Sequence, residues 1–181
     1  MPDTLTANGA AARLQIVLGI DPGTRVLGYG AIVIGARGPR FLAAGVVRAK
    51  VGDVPARLGQ IRTELDLLFE RLQPTVIVVE QAFAARNVQS ALRIGEGRGV
   101  VLGCAAAFGA RIIQFAPAVA KKALVGNGAA DKSQVARMVE HVLGAKTKGL
   151  PLDASDALAL ALAFSTRSPH LEAASRRLRT T

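Results

Sequence analysis

The sequence predicts an α/β protein with one five-stranded mixed sheet flanked by helices. Two observations lead to this class. Three strand-like segments follow one another with short links, and two further short strands then alternate with segments of helical periodicity. Strands joined by tight turns run antiparallel, whereas strands joined through a helix run parallel. The expected sheet is therefore an antiparallel meander extended by parallel strands.

The three strands of the meander are expected near the start of the chain. Leu14 to Ile20 is a nearly continuous apolar run, typical of a buried strand, and Asp21-Pro22-Gly23-Thr24 ends it as a tight turn. Val26 to Ile34 is rich in β-branched residues and predicts the second strand. Gly35 to Pro39 predicts the next turn, and Phe41 to Arg48 the third strand.

The following segments alternate between helix and strand. Apolar residues recur with the spacing of one stripe of an amphipathic helix: Leu58, Ile61, Leu65, Leu68 and Leu72. Pro74 ends this helix, and Thr75 to Val79 predicts a short buried strand. A long helix with many small residues is expected from about Val88 to Phe108, and its glycines indicate close packing.

A fifth strand and two further helices complete the predicted elements. The strand spans Arg111 to Phe115. Asp131, followed three residues later by Gln134, has the pattern of a capping box at the start of a helix. Ala157 to Phe164 is rich in alanine and leucine, so we expect a helix that is buried on nearly all sides.

Length and composition limit the class of protein. Of the 181 residues 50% are hydrophobic, so the chain can bury a core, and disordered, collagen-like and disulfide-rich classes are excluded. The single cysteine, Cys104, favours a reducing compartment, and we expect a cytoplasmic protein. The longest apolar stretch, Gly99 to Ala110, is too short to cross a membrane. We expect one domain over residues 14–166, a flexible extension over 1–13 and a basic tail over 167–181.

The charge of the chain favours a polyanionic partner. Lys and Arg number 23 against 13 Asp and Glu, which gives a net charge of +10. Residues 151–164 depart from this excess, because they contain two acids and no base. An acidic spot in a basic protein indicates a site, although solubility alone also explains the overall charge.

Four acidic residues stand where a charge is costly. Asp21 ends the first predicted strand, Glu80 follows the fourth, and Asp153 and Asp156 lie three residues apart at the head of the most apolar helix. Ligand sites collect at strand ends in open α/β sheets, and residues i and i+3 share a helix face. Three of the acids also have structural explanations: turn chemistry for Asp21, a strand end reaching solvent for Glu80, and a helix N-cap for Asp153.

Asp156 is the hardest of these acids to explain structurally, because the eight residues after it are all apolar. A buried carboxylate needs a cation or donors, and no Lys or Arg lies between Lys148 and Arg167. Oxygen ligands without His or Cys favour Mg²⁺ or Mn²⁺ over zinc, and we expect His141 and His170 at the surface. In a basic protein such a cluster is typical of phosphodiester hydrolysis with two metal ions per active site.

Four blocks of the sequence resemble the RuvC family of bacterial Holliday-junction resolvases. They are Gly19–Gly30, with the sequence GIDPGTRVLGYG; Glu80–Val100, which begins EQAFAARN; Val125–Val135, which contains DKSQV; and Asp153–Ala159, DASDALA. The blocks follow in order over about residues 14–164. A lone G-x-D-x-G is shared with kinases and actin-like ATPases, whereas four blocks in register are specific.

The resemblance implies an RNase H-like fold and a crossover junction endodeoxyribonuclease that acts in DNA recombination and repair. It implies a homodimer whose two sites cut opposed strands of a four-way DNA junction and leave 5′-phosphate and 3′-hydroxyl ends. The branch-migration proteins RuvA and RuvB are the partners that it implies, and no membrane is involved.

The resemblance also assigns roles by position. Asp21, Glu80, Asp153 and Asp156 correspond to the four metal-binding catalytic acids of the family, which use Mg²⁺ or Mn²⁺. Some relatives carry His at the position of Asp153, so its role is the least defined of the four.

Six further residues are expected to contact DNA. Phe83 corresponds to the family's aromatic residue that stacks on or wedges into the opened junction, and Arg86 and Asn87 follow it. Lys121 and Lys132 correspond to basic residues at the scissile phosphate, and Lys122 replaces Lys121 if the register slips by one. Core packing is the alternative role for Phe83, and a solvated surface is the alternative for the lysines.

Three other functions remain open at this point. An actin-like or sugar-kinase-type ATPase would use Asp21-Pro22-Gly23-Thr24 to cradle phosphate, but such proteins contain about two copies of this fold. A non-catalytic protein could bind branched DNA through charge alone, although clustered acids weaken DNA binding unless metal neutralises them. An RNA-processing nuclease of the same fold is disfavoured by the block over residues 80–100.

Overall fold

Five strands form one mixed sheet in the computed structural model, which describes residues 14–50, 52–81, 88–144 and 147–178, with side chains described as far as Arg167. The strands are β1 (Gln15–Asp21), β2 (Val26–Gly35), β3 (Gly38–Arg48), β4 (Val76–Glu80) and β5 (Arg111–Phe115). Their order across the sheet is β3-β2-β1-β4-β5. β1, β2 and β3 pair antiparallel, whereas β4 and β5 extend the sheet in parallel with β1. The predicted meander with added parallel strands is confirmed.

The β2–β3 hairpin is tighter than the sequence indicated. Gly35 pairs with Gly38, so only two residues form the turn, and β3 begins at Gly38 rather than at Phe41. Gly38 has a φ of +92°, a conformation that glycine adopts without steric cost. A register shift between Ala31 and Ile32 then interrupts the pairing of β2 with β3.

Five helices connect and cover the strands: α1 (Val54–Leu72), α2 (Val88–Phe108), α3 (Pro117–Val125), α4 (Lys132–Leu143) and α5 (Leu152–Leu178). The carboxylate of Asp53 caps α1 by accepting a hydrogen bond from the amide of Ala56 at 3.0 Å. The capping box predicted for α4 is present, since Asp131 and Gln134 bond each other's backbone amides.

Two helices differ from their predicted extent. α3 was not predicted, because nine residues are too few for a clear apolar period, although Pro117 at its start and Gly126 after its end are typical helix boundaries. α5 begins at Leu152 and continues to Leu178, well beyond the predicted stretch and past residue 166. From Ala157 to Phe164 its side chains are all buried, as expected.

The helices form one layer on each face of the sheet. α1 and α2 pack on one face, where residues such as Leu18, Ile20 and Ile77 are buried. α3, α4 and α5 pack on the other face, over residues such as Val17 and Val78. Among the residues whose structure is described, no helix combines the length and hydrophobicity needed to cross a membrane.

Three glycines allow α5 to rest directly on the backbone of β1 and β2. A Cβ atom at Gly19 would overlap the backbone of Ala157, and one at Gly28 would overlap the backbone of Asp153. At Gly30 a Cβ would lie 2.6 Å from the amide nitrogen of Leu158. Because no side chain separates the helix from the strands, the position of α5 is fixed along its first three turns.

Substitution of Gly19 by alanine tests this close contact. The added methyl group has no space, so α5 must move off β1, and we expect Gly19→Ala to lower the free energy of unfolding by about 3 kcal/mol or more. Gly59→Ala in α1 is the matched control, because Gly59 is exposed with open space around its Cα. The control should gain roughly 0.5–1 kcal/mol from helix propensity. Equal urea midpoints for the two variants would contradict the packing described.

Candidate active site

Strand alternation places Asp21 and Glu80 on the face of the sheet that α5 covers. Val17 of β1 and Val78 of β4 are buried on that face. Successive side chains of a strand point to opposite faces, so Asp21, four residues after Val17, and Glu80, two residues after Val78, point to the same side. β1 and β4 are parallel neighbours, and the two carboxylates therefore stand together at the carboxyl edge of the sheet.

The first turn of α5 brings Asp153 and Asp156 to the same edge. Gly28 lies against the backbone of Asp153 and so fixes this turn beside the end of β1. Asp153 lies inside the helix, which begins at Leu152, and the amide of Ser155 donates to the carbonyl of Pro151. The N-cap explanation of Asp153 is therefore wrong, and both aspartates are partly buried side chains of one helix turn.

The carboxylates are close enough to disturb one another's ionisation. Burial, with the negative charges of Glu80, Asp156 and Asp153, raises the pKa of Asp21 from 3.8 to about 7. Burial also raises the pKa of Glu80, although a hydrogen bond with Asp21 opposes this change. A hydrogen bond between two carboxyl groups requires one proton, and because this bond lowers the pKa of Glu80, the carboxylate of Glu80 is the acceptor. The structure thus unites all four acids that the sequence singled out.

Lys132 supplies the positive charge that Asp156 was predicted to lack. Its ammonium lies 2.6 Å from the carboxylate of Asp156, and the two side chains are 60% and 26% exposed respectively. This hydrogen bond raises the pKa of Lys132, against the opposing effect of burial. No cation lies near Asp156 in the sequence, and Lys132 reaches it from the first residue of α4, 24 positions earlier in the chain.

Lys121 is the lysine of α3 that acts on the acid cluster. Its positive charge lowers the pKa of Glu80, whereas Lys122 is exposed and its carbonyl accepts the capping hydrogen bond of Gly126. The proximity to Glu80 favours Lys121 over Lys122 as the residue beside the site. Lys121 and Lys132 therefore bring two positive charges to the acid cluster.

The donor chemistry of the cluster fits Mg²⁺ or Mn²⁺. The groups that shift the pKa of Asp21 are three carboxylates and one ammonium, so the donors are hard oxygens. Burial and the surrounding negative charge both raise the pKa of Asp21, and a bound cation would offset that charge. In the described ranges no three acidic, histidine or cysteine side chains stand in an arrangement that holds a metal ion, and Asp156 is paired with Lys132 instead. Charge and donor type therefore fit a cation, while coordination geometry is absent.

Three expected DNA contacts lie outside the described residues. These are Phe83, Arg86 and Asn87, which belong to the segment between β4 and α2. His141 is exposed on α4, as predicted, and the side chain of His170 also lies outside the described part.

Arg57 is a buried charge that the sequence reasoning missed. Its guanidinium donates from Nε to the carbonyl of Thr24 at 3.2 Å and from Nη1 to the carbonyl of Gly52 at 2.5 Å. Thr24 belongs to the turn that directly follows Asp21. The spacing Arg57, Ile61, Leu65 continues the apolar stripe of α1 by one turn toward its start, and this periodicity predicts burial of Arg57.

The chain is similar over most of its length to proteins of one family. The family model described as crossover junction endodeoxyribonuclease RuvC matches residues 17–164. The RuvC protein of Chromohalobacter salexigens is 40% identical over 159 residues, which cover 87% of this chain and 83% of that protein. RuvC of Vibrio vulnificus is 39% identical over 158 residues, covering 87% and 91% respectively.

Solved structures that resemble this chain include a member of the same family. Thermus thermophilus RuvC in complex with a Holliday junction substrate superimposes with a TM-score of 0.79 at 34% identity, covering 86% of this chain and 96% of that one. The yeast mitochondrial Holliday junction resolvase Ydc2 has a TM-score of 0.67 at 13% identity, covering 95% and 88%, and shows the shared fold alone. The predicted RNase H-like fold is thereby confirmed.

The raised pKa of Asp21 predicts a specific dependence of stability on pH. In EDTA, Asp21 is half ionised near pH 3.8 in the unfolded chain but near pH 7 in the folded protein, so its contribution to stability falls as the pH rises between these values. Asp21→Asn removes the charge, and we expect it to stabilise the protein at pH 8 by about 1–4 kcal/mol relative to its effect at pH 5. Thermal unfolding at both pH values measures this difference.

Asp66→Asn serves as the control for that experiment. Asp66 is a half-exposed aspartate of α1 that pairs with Arg62 at 3.5 Å and hydrogen-bonds the thiol of Cys104. A pH-dependent gain of the same size in Asp66→Asn, or none in Asp21→Asn, would contradict the crowding of the four acids.

Proposed function

The chain belongs to the RuvC family of crossover junction endodeoxyribonucleases, and from this premise we propose that it resolves Holliday junctions. Paired, symmetric nicks would cut opposed strands of the four-way DNA junction and leave 5′-phosphate and 3′-hydroxyl ends. Mg²⁺ or Mn²⁺, two ions per active site, would serve as cofactor. The nuclease domain would span residues 14–166, with residues 1–13 as an extension and residues 167–181 as a basic tail into which α5 continues as far as Leu178.

The clustering of four carboxylates at one strand edge supports this function above any other observation. Asp21, Glu80, Asp153 and Asp156 come from three separate elements, and their mutual repulsion costs stability. A protein that bound branched DNA only through charge would gain from losing these acids, because they repel phosphates. The presence of all four acids at this edge of the sheet therefore favours a catalytic role over DNA binding through charge alone.

The four acids share one task in this proposal. The four carboxylates would hold the divalent cations. Bound in this way, the cations supply activation of a water molecule and stabilisation of the leaving oxygen in an in-line displacement. Asp21 and Glu80 are fixed by adjacent strands, while Asp153 and Asp156 are fixed by α5, so folding sets the distance between the two pairs before substrate arrives.

The basic residues beside the cluster would bind the phosphate that is cut. Lys132 has an exposed, flexible side chain and reaches the acid cluster from α4, and Lys121 reaches it from α3. An ammonium is a mobile point charge that suits a phosphate oxygen. Phe83 would stack on an opened base step, with Arg86 and Asn87 contacting the backbone beside it.

Two copies of the chain would be needed for paired cutting. A homodimer would carry two equivalent sites across a symmetric junction, and junction selectivity would come from their spacing, because phosphate contacts alone do not read sequence. RuvA and RuvB are the proposed branch-migration partners, and the cytoplasm is the proposed location.

Cleavage of synthetic DNA tests the proposed function. The protein should nick a four-way junction at symmetric positions in Mg²⁺ or Mn²⁺, cut a linear duplex of the same sequence at least tenfold more slowly, and cut neither in EDTA. Asp156→Asn should abolish cleavage and bind the junction at least as tightly, because the substitution keeps the side-chain volume but removes a charge that repels phosphate. Gel analysis of end-labelled strands measures both rates, and Asp66→Asn should cut normally.

Two results would reject the proposal. Equal cutting of junction and duplex would exclude structure-selective resolution, and normal cutting by Asp156→Asn would exclude the carboxylate cluster as the catalytic site. Stabilisation by ATP together with absence of cleavage would favour the ATPase alternative.

A further inference from the structure

Three exposed cations stand at the carboxyl edge of the sheet, away from the lysines described above. They are Arg25, Arg48 and Lys50, here called the edge patch. β2 and β3 lie on one side of β1, whereas β4 and β5, after which Lys121 follows, lie on the other. The acid cluster on β1 and β4 is therefore flanked by positive charge on both sides.

Backbone pairing holds the edge patch together. Arg48 pairs in register with Val26, the residue after Arg25, and the amide of Ala49 donates to the carbonyl of Arg25 at 3.0 Å. The amide of Lys50 donates to the side chain of Gln60 at 2.9 Å. The backbones of all three patch residues are thus fixed relative to the sheet.

Arg48 projects on the same face as the acids. Val47 and Ala49 are each 9% exposed and belong to the core on the α1 side, so Arg48 between them points to the α5 side. Val46 pairs with Gly28, on which Asp153 rests. Arg48 follows Val46 by two residues on β3. The spacings of an ordinary β-sheet therefore put its Cα roughly 8 Å from the Cα of Gly28.

Arg57 connects the two loops that carry the patch. Arg57 is 8% exposed, and its guanidinium donates to the carbonyls of Thr24, the residue before Arg25, and Gly52, two residues after Lys50. In the described part of the chain no carboxylate lies within ion-pair distance of it, and a cation in the first turns of a helix is disfavoured by the helix dipole. Its positive charge therefore adds to that of the patch.

The charges of the edge patch are not neutralised within the fold. Arg25, Arg48 and Lys50 form no ion pair with any residue that the structure describes, and the nearby carboxylate of Asp53 is occupied as the cap of α1. Positive groups that are exposed, unpaired and held in place suit a polyanion. Extended DNA that crosses the acid cluster would next meet this patch.

We propose that the edge patch binds backbone phosphates of the junction arm that runs from the acid cluster over β2 and β3. This inference rests on the proposed function and assigns a DNA-binding role to residues outside the catalytic cluster. The contact is electrostatic, so it contributes affinity and salt dependence without reading base sequence.

The salt dependence of junction binding tests the patch. Binding of a labelled four-way junction in EDTA, across a series of salt concentrations, is compared for the parent protein and for Arg48→Ser/Lys50→Ser. Each lost phosphate contact reduces the slope of log K against log salt by about 0.9, so the double variant should lose about 2 from the slope and at least about tenfold in affinity at low salt. Arg48→Lys/Lys50→Arg keeps both charges and should retain the parent slope.

The opposite end of the same hairpin provides the control. Arg37 and Arg40 are also exposed but lie at the β2–β3 turn, away from the acids, and Arg37→Ser/Arg40→Ser should bind like the parent. Equal slopes for the two serine variants would overturn the proposal, as would the same loss in the charge-retaining variant. Parent cleavage in Mg²⁺ is measured separately: absence of junction cleavage rejects the proposed function, whereas unchanged slopes reject only the edge patch.

Discussion

Direct contact between α5 and the backbone of β1 and β2 is the constraint on which the rest of the structure depends. Gly19, Gly28 and Gly30 leave no side chain between helix and strands, so the helix has one position available. That position buries the apolar face of α5 in the core and also sets its first turn beside the end of β1. The packing that stabilises the fold is therefore the packing that gathers the carboxylates.

Gathering the carboxylates has an electrostatic cost that the fold offsets in two ways. Burial, together with repulsion from the neighbouring carboxylates, raises the pKa of Asp21 to about 7. Lys132 neutralises Asp156 across a 2.6 Å ion pair, and burial of the helix from Ala157 to Phe164 supplies favourable hydrophobic free energy. A cluster that is strained electrostatically but held rigidly by packing is suited to bind cations and polyanions together.

The sequence predicted the elements that have strong local signals. Continuous apolar runs located β1 and β4, and with them Asp21 and Glu80 at the ends of these strands. That the two acids share one face of the sheet follows from the pairing of the strands, which the structure shows. Tertiary features were not predictable in the same way. The Lys132–Asp156 pair joins residues 24 positions apart, and α3 lacks a repeated apolar period. Arg57 continues the apolar stripe of α1 by one turn, but it was not predicted to be buried because its side chain is charged.

The central proposal is that the four carboxylates would act as one cation-binding cluster within the folded protein, and thermal unfolding with added Mg²⁺ tests it most directly. A ligand that binds only the folded state raises the melting temperature with concentration. Mg²⁺ should stabilise the parent protein at pH 8 in a saturable manner, whereas Asp21→Asn/Asp156→Asn should show little response. An equal rise in both proteins, or no rise in the parent, would contradict the account.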